Sequence, residues 1–242
     1  MQVSPQIPLQ LEPPRADRFE DFVAGPNAAA LEAVRQLLDV PGGMLFLSGP
    51  PGSGKSHLLN ALCHAARERG LAAFYLALKR VPREAAAGLE GLQSLNLVCV
   101  DDLDRVAGDP AWERALFRCF NEVRAAGARL LVSSSRPLPA LPIGLPDLAS
   151  RLAWGLRAAL QPPGDDDKLE ILQRRARALH IELPPDVRQY LLRYGRRDMI
   201  SLLASLERLK DAAFADKRRI TVPLAREVLW ETKGGPPREE GC

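Results

Sequence analysis

Residues 49–56 read Gly-Pro-Pro-Gly-Ser-Gly-Lys-Ser and directly follow the apolar run Met44–Ser48. No other stretch of this 242-residue chain restricts its fold as strongly. The pattern G-x-x-x-x-G-K-S joins a buried strand to a helix through a loop whose backbone can wrap closely around phosphate groups. The loop amides and the first turn of the following helix favour negative charge. Gly49, Pro50, Pro51, Gly52, Ser53 and Gly54 would form the cradle, with His57 next in the helix. Lys55 would neutralise the β- and γ-phosphates, and the Ser56 hydroxyl would ligate Mg²⁺. The competing explanation is a glycine-rich turn of structural purpose, and the flanking strand and helix argue against it.

A partner carboxylate is expected at the end of a neighbouring buried strand. Leu97-Val98-Cys99-Val100-Asp101-Asp102 supplies one. Asp101 would hold Mg²⁺ through water, and Asp102 would orient or activate the attacking water. Alternatively, both carboxylates cap the next turn alongside Asp104. An apolar run ending in Asp-Asp is weak alone and strong behind a phosphate loop.

The rest of the pattern is an α/β fold followed by helices. Helices are expected over 28–38, 55–69 and 110–125, and strands over 44–48, 72–78, 95–100, 129–133 and 157–160. Alternating strands and helices imply a parallel sheet. After Pro162-Pro163 only helical spacing follows, over 165–178, 185–193, 198–215 and 223–230. The expected division is a flexible arm over 1–16, a nucleotide-binding domain over 17–162, a small all-helical domain over 163–232 and a tail over 233–242.

Composition excludes several classes. Apolar residues make up 46%, too many for a disordered chain. The net charge is only +3, from 33 basic and 30 acidic residues, which makes direct DNA binding a minor contribution. The four cysteines form no CxxC pair, so a zinc site or disulfide framework is not expected; Cys99 and Cys119 read as small core residues. Residues 1–14 contain four prolines, which does not suit a signal peptide, and no run reaches 18 apolar residues. A reduced cytoplasmic protein is expected.

With the phosphate loop, the Asp101-Asp102 pair and the helical C-terminal part, the chain resembles the AAA-plus ATPases, and more specifically the DnaA/Hda family. Phe19-Glu20-Asp21-Phe22-Val23-Ala24-Gly25-Pro26-Asn27 is similar to the family segment that contacts adenine, which implies that role for Phe22 and Val23. Asp147-Leu148-Ala149-Ser150-Arg151-Leu152-Ala153-Trp154-Gly155 resembles the segment carrying the arginine finger, placing Arg151 in that role. Arg197-Asp198-Met199 resembles the sensor-2 segment, placing Arg197 over the phosphates from the lid. Ser133-Ser134-Ser135-Arg136-Pro137 falls where sensor 1 lies, with Ser135 chosen for it. Each arginine has a plainer alternative, as a surface ion-pair partner or part of a solvated basic face.

DnaA continues past its lid into a helix-turn-helix DNA-binding domain, whereas here Lys233-Gly234-Gly235-Pro236-Pro237 follows Trp230. The resemblance is therefore to the short, Hda-like branch of the family. That branch carries an N-terminal peptide for the sliding clamp of DNA polymerase III, its β subunit. Gln6-Ile7-Pro8-Leu9-Gln10-Leu11 is similar to that motif, with Gln6, Ile7, Leu9 and Leu11 as contacts. What the resemblance implies is regulatory: ADP or ATP with Mg²⁺ bound, DnaA and the clamp as partners, DNA reached indirectly at the nucleoid, and hydrolysis by DnaA stimulated in trans. Its own hydrolysis would be weak, and a homo-oligomer is possible in such a family. The alternatives left open are a free-standing AAA-plus ATPase acting as a loader or remodelling factor in replication, and a small-molecule kinase. The Asp pair and the helical lid argue against the kinase.

Overall fold

The computed structural model describes residues 17–82, 89, 92–215 and 217–231. The Gln6–Leu11 motif and Cys242 lie outside them. The described chain separates into two compact units, one ending at Pro162 and one beginning at Pro163.

The first unit is built on five parallel strands: β1 (Met44–Ser48), β2 (Ala73–Ala77), β3 (Leu97–Asp101), β4 (Arg129–Ser134) and β5 (Leu156–Ala159). Their order across the sheet is β2-β3-β4-β1-β5. All four ladders are parallel. Successive strand residues point to opposite faces, and both faces are covered, so the inner strands read as unbroken apolar runs. Leu45, Leu47, Leu97, Cys99 and Leu131 pack with helices α1 (Ala28–Gln36) and α2 (Lys55–Glu68). Phe46, Val98, Val100, Leu130 and Val132 pack on the other face with α3 (Pro110–Ala125) and α4 (Pro146–Ala153). Leu45, Leu47, Leu97, Cys99 and Leu131 are fully buried; at about 1.5–3 kcal/mol for each large aliphatic side chain, this layer is a principal source of stability.

Local chemistry sets the helix starts. The Asp109 carboxylate accepts from the amides of Ala111 (2.9 Å) and Trp112 (3.2 Å), and Pro110 opens α3 with its φ already helical. Pro146 opens α4 in the same way.

The second unit is a four-helix lid: α5 (Asp165–Ala178), α6 (Pro185–Tyr194), α7 (Met199–Ala215) and α8 (Val222–Glu231). Its own core includes Leu172, Val187, Leu191, Leu202, Leu206 and Leu209.

Several boundaries differ from expectation. The first helix stops at Gln36 and tightens into a 3-10 turn over Leu37–Asp39. The third strand begins at Leu97 rather than 95, because Leu92–Ser94 forms a 3-10 turn and the Asn96 side chain takes the Ala72 amide at 2.9 Å. The fifth strand starts one residue early, at Leu156. α4 falls in a stretch for which no helix was expected.

Candidate functional site

The carboxyl ends of β1, β3 and β4 bring the loop, Asp101 and the serine run together. Gly49 donates its amide to the Ser134 carbonyl at 3.2 Å, which fixes the loop's start against β4. Gly54 closes the loop at φ +99°, a region that side chains disfavour. A Cβ there would lie 2.6 Å from Cε2 of Phe22. The loop and the Phe22 ring therefore pack closely where position 54 has no side chain. Phe22 also lies 5.7 Å from the His57 ring. The leading segment is tied down at its other end, where Asn27 exchanges two hydrogen bonds with the Gln161 backbone, at 3.0 and 2.7 Å. Val23, beside Phe22, is half-buried.

Lys55 is buried and donates to the carbonyls of Gly49 (2.6 Å) and Pro50 (3.1 Å). Burial pushes its pKa below the usual lysine value, while Asp101, Asp102 and Asp104 pull the other way. Phosphate oxygens would relieve that desolvation. Ser53 is buried, and its hydroxyl has no hydrogen-bond partner among the described residues. An unmatched hydroxyl, a side-chain-free approach and a buried ammonium fit a nucleotide phosphate group.

Asp101 is fully buried and accepts hydrogen bonds from three hydroxyls. Ser56 donates to Oδ2 at 2.6 Å, Tyr75 donates to Oδ2 at 2.7 Å, and Ser133 donates to Oδ1. With its proton donated to Asp101, the Ser56 oxygen keeps lone pairs, as a Mg²⁺ ligand must. The Tyr75 hydroxyl is driven far above its usual pKa by burial and by the Asp101 charge, so it stays a donor.

Asp102 takes a left-handed backbone, φ +63°, which is uncommon without glycine. Its amide donates to the Ser133 hydroxyl at 3.1 Å and its carboxylate pairs with Lys79 at 3.1 Å. Ser133 thus bridges the two aspartates. Ser135, the residue chosen for sensor 1, instead donates its amide (2.7 Å) and hydroxyl (2.8 Å) to Asp104. Burial raises the Asp104 pKa, but these bonds and one from Ser134 outweigh it, and the carboxyl sits below its usual range.

Arg151 lies elsewhere. It belongs to the last turn of α4, and its guanidinium carbon is 4.3 Å from the Trp154 ring centre. Arg124, in the last turn of α3, is also 4.3 Å from that centre. Both are beside the amino ends of the strands: Leu156 pairs with Leu45 at the start of β1, and the Gly127 carbonyl accepts the Gly42 amide at 2.9 Å. β1 separates this cluster from the phosphate loop by about four rises of ~3.3 Å. Within the lid, Arg197 donates to Asp165 in the first turn of α5.

Two residues were not singled out from sequence. Tyr75 offered one clue, a hydroxyl in an otherwise apolar strand. Glu113 offered another, a charge beside the apolar stripe of α3. It is buried, and its carboxylate accepts from the amides of Gly108 (2.7 Å), Gly144 (3.1 Å) and Leu145 (2.8 Å). It thereby holds the chain where α4 begins.

Among the described residues no helix is long and apolar enough to cross a membrane. Residues 14–159 match the family model of the bacterial DnaA ATPase domain, and residues 165–229 match that of the Hda lid domain. The fold is similar to domain III of the replication initiation protein DnaA from Thermotoga maritima, at 23% identity and a TM-score of 0.78, over 91% of this chain and 98% of that one. It is also similar to AMPPCP-bound DnaA from Aquifex aeolicus, at 22% identity and 0.65, over 83% and 67%. The RuvB Holliday junction branch migration motor of Thermotoga maritima shares the fold at 18% identity and 0.63, over 89% and 72%. The sheet with its phosphate loop and the helical lid together make the chain a member of the DnaA/Hda family of AAA-plus proteins.

Proposed function

We propose that the protein binds an adenine nucleotide and regulates replication initiation by stimulating ATP hydrolysis in a partner, DnaA, to which Arg151 is supplied in trans. The observation that carries this is the separation of Arg151 from its own phosphate loop, at opposite ends of one parallel sheet. A guanidinium at the amino end is far from its own phosphate loop and would serve a neighbour's nucleotide rather than its own. There it would stabilise charge developing on the partner's γ-phosphate.

The loop amides, Ser53 and Lys55 would hold ADP or ATP in the chain's own site, Ser56 and a water on Asp101 would hold Mg²⁺, and Phe22 and Val23 would flank the base. Nucleotide bound by a relative is seen in the AMPPCP complex of the Aquifex aeolicus DnaA. Bound Mg²⁺ would screen the phosphate charge. Arg197 would reach the phosphates from the lid, in exchange for its bond to Asp165. The N-terminal Gln6, Ile7, Leu9 and Leu11 would dock on the sliding clamp and concentrate the protein where DnaA acts.

The test is DnaA-bound ATP turnover in the presence of DNA-loaded clamp. Arg151→Ala should cut stimulation by about 100-fold or more while the protein stays folded; full stimulation would overturn the proposal. Deleting residues 1–12 should abolish clamp binding, and an unchanged Kd would remove that part.

A second reading is favoured by one observation. Lys55, Ser56, Asp101 and Asp102 are all present and assembled, with Asp102 held at a positive φ. Such a set suits a free-standing AAA-plus ATPase that loads or remodels replication factors. Rapid ATP turnover by the purified protein without DnaA would decide for it.

A further inference from the structure

Resting on the trans role given to Arg151 above, we infer that Trp154 is the positioning residue for its guanidinium, and that Arg124 steadies the same indole. Trp154 is 57% exposed, so its ring contributes little to the core. Instead it carries two cations, Arg124 and Arg151, each 4.3 Å from the ring centre. Like charges on one ring repel each other; the negative face of the indole holds them there.

The ring has a fixed base. Gly155 follows it so close to the sheet that an added Cβ would stand 2.5 Å from the Met44 carbonyl oxygen. The next residue, Leu156, is already paired in β5. The backbone that carries Trp154 is therefore anchored to the sheet, and Arg151, three residues earlier at the end of α4, lies against its ring. A free arginine samples many rotamers, whereas a group that stabilises a transition state must stand within a fraction of an ångström of its place. The stack orders the guanidinium before the partner arrives.

The experiment compares Trp154→Ala, Trp154→Phe, Arg124→Gln and Arg151→Ala in the full chain. It measures the partner's maximal ATP turnover and the concentration giving half of it, with clamp and DNA present. Side-chain NMR of Arg151 in the free protein reports the stack directly, through the ring-current shift of its δ-methylene. Trp154→Ala should lower maximal turnover by about three- to tenfold and move the half-maximal concentration by less than about twofold. It should also erase the ring-current shift. Trp154→Phe should restore most of the turnover, and Arg124→Gln should cost about twofold.

An unchanged maximum, or a loss confined to the half-maximal concentration, would overturn the inference and make Trp154 a simple contact. If Arg151→Ala itself stimulates fully, the trans role has failed and this inference fails with it. If Arg151→Ala is inactive while the Trp154 and Arg124 variants behave as wild type, only the positioning role fails. Should Trp154→Ala not fold, Trp154→Phe and Arg124→Gln carry the test.

Discussion

The two ends of the sheet are built on opposite principles. At the carboxyl end Lys55 is engaged on loop carbonyls, Asp101 on three hydroxyls and Asp104 on Ser134 and Ser135, while the buried Ser53 hydroxyl is left unmatched. At the amino end Arg151 and Arg124 rest on an exposed indole. A buried hydrogen-bonded network tolerates little substitution, because each lost partner leaves a desolvated group behind. An exposed stack can lose a member at small cost to the fold. The first arrangement resists substitution, and the second tolerates it.

The sharpest way to break this contrast is with glycines. Gly54→Ala would place a Cβ 2.6 Å from Phe22 at φ +99°. ADP affinity should fall by about 100-fold or more, read by equilibrium binding, because loop and leading segment must both move. Gly127 has φ +68° but nothing within 4 Å of an added Cβ. Gly127→Ala should cost only the left-handed backbone term, about 1 kcal/mol, with ADP affinity unchanged. Equal losses of affinity would mean the two ends are not independent.

Glu113→Gln comes next. One of two carboxylate oxygens becomes an NH₂ facing backbone amides of Gly144 and Leu145 or Gly108. Stability should drop by about 2–4 kcal/mol, as a lower urea midpoint at unchanged m. Because these amides precede α4, partner stimulation should fall further than nucleotide affinity does.

The serine run gives a smaller effect. Ser133→Ala takes a donor from fully buried Asp101 and an acceptor from the Asp102 amide, and should cost about 1–3 kcal/mol. Ser135→Ala leaves Asp104 its bonds from Ser134 and the Ser135 amide, and should cost under ~1 kcal/mol. Thermal unfolding of the two variants, side by side, ranks them.

How much of this was legible in the sequence depended on the range of the interaction. The phosphate loop and the parallel α/β order were legible because the pattern is local: Met44–Ser48, the glycines and Lys55 are consecutive. α3 was placed from 110 to 125 by Pro110 and its apolar spacing, and it has those limits. Contacts between distant segments left little trace. Three adjacent serines look alike in a sequence, yet Ser133, inside β4, reaches Asp101, 32 residues away, whereas Ser134 at the end of β4 and Ser135 beyond it reach Asp104. Tyr75 reaches Asp101 only because β2 and β3 are neighbours, with Ala77 opposite Asp101. Glu113 resembles an ordinary first-turn acid until the loop ending at Leu145 folds onto it. The pairing of Arg124 with Trp154 depends on where α3 ends relative to β5.

The smallest predicted effect concerns acid. Asp104 has a folded pKa below its ordinary 3.8: burial raises it, and the amide and hydroxyl of Ser135 with the Ser134 hydroxyl more than offset that. A carboxyl with a depressed folded pKa adds stability that is fully present above pH 3.8 and is lost progressively as pH falls from there through the folded value, because the unfolded state takes up the proton before the native state does. Wild type should therefore be more stable than Asp104→Asn near neutral pH, and the gap should narrow as pH drops below 3.8. Asp104 is only half-buried, so solvent screening keeps the gap small. Thermal melts of both proteins across that range are the check. A gap that stays constant into acid would mean that the serines hold Asp104 by geometry rather than by charge, and the carboxyl end would then depend less on ionisation than its crowded hydrogen bonds imply.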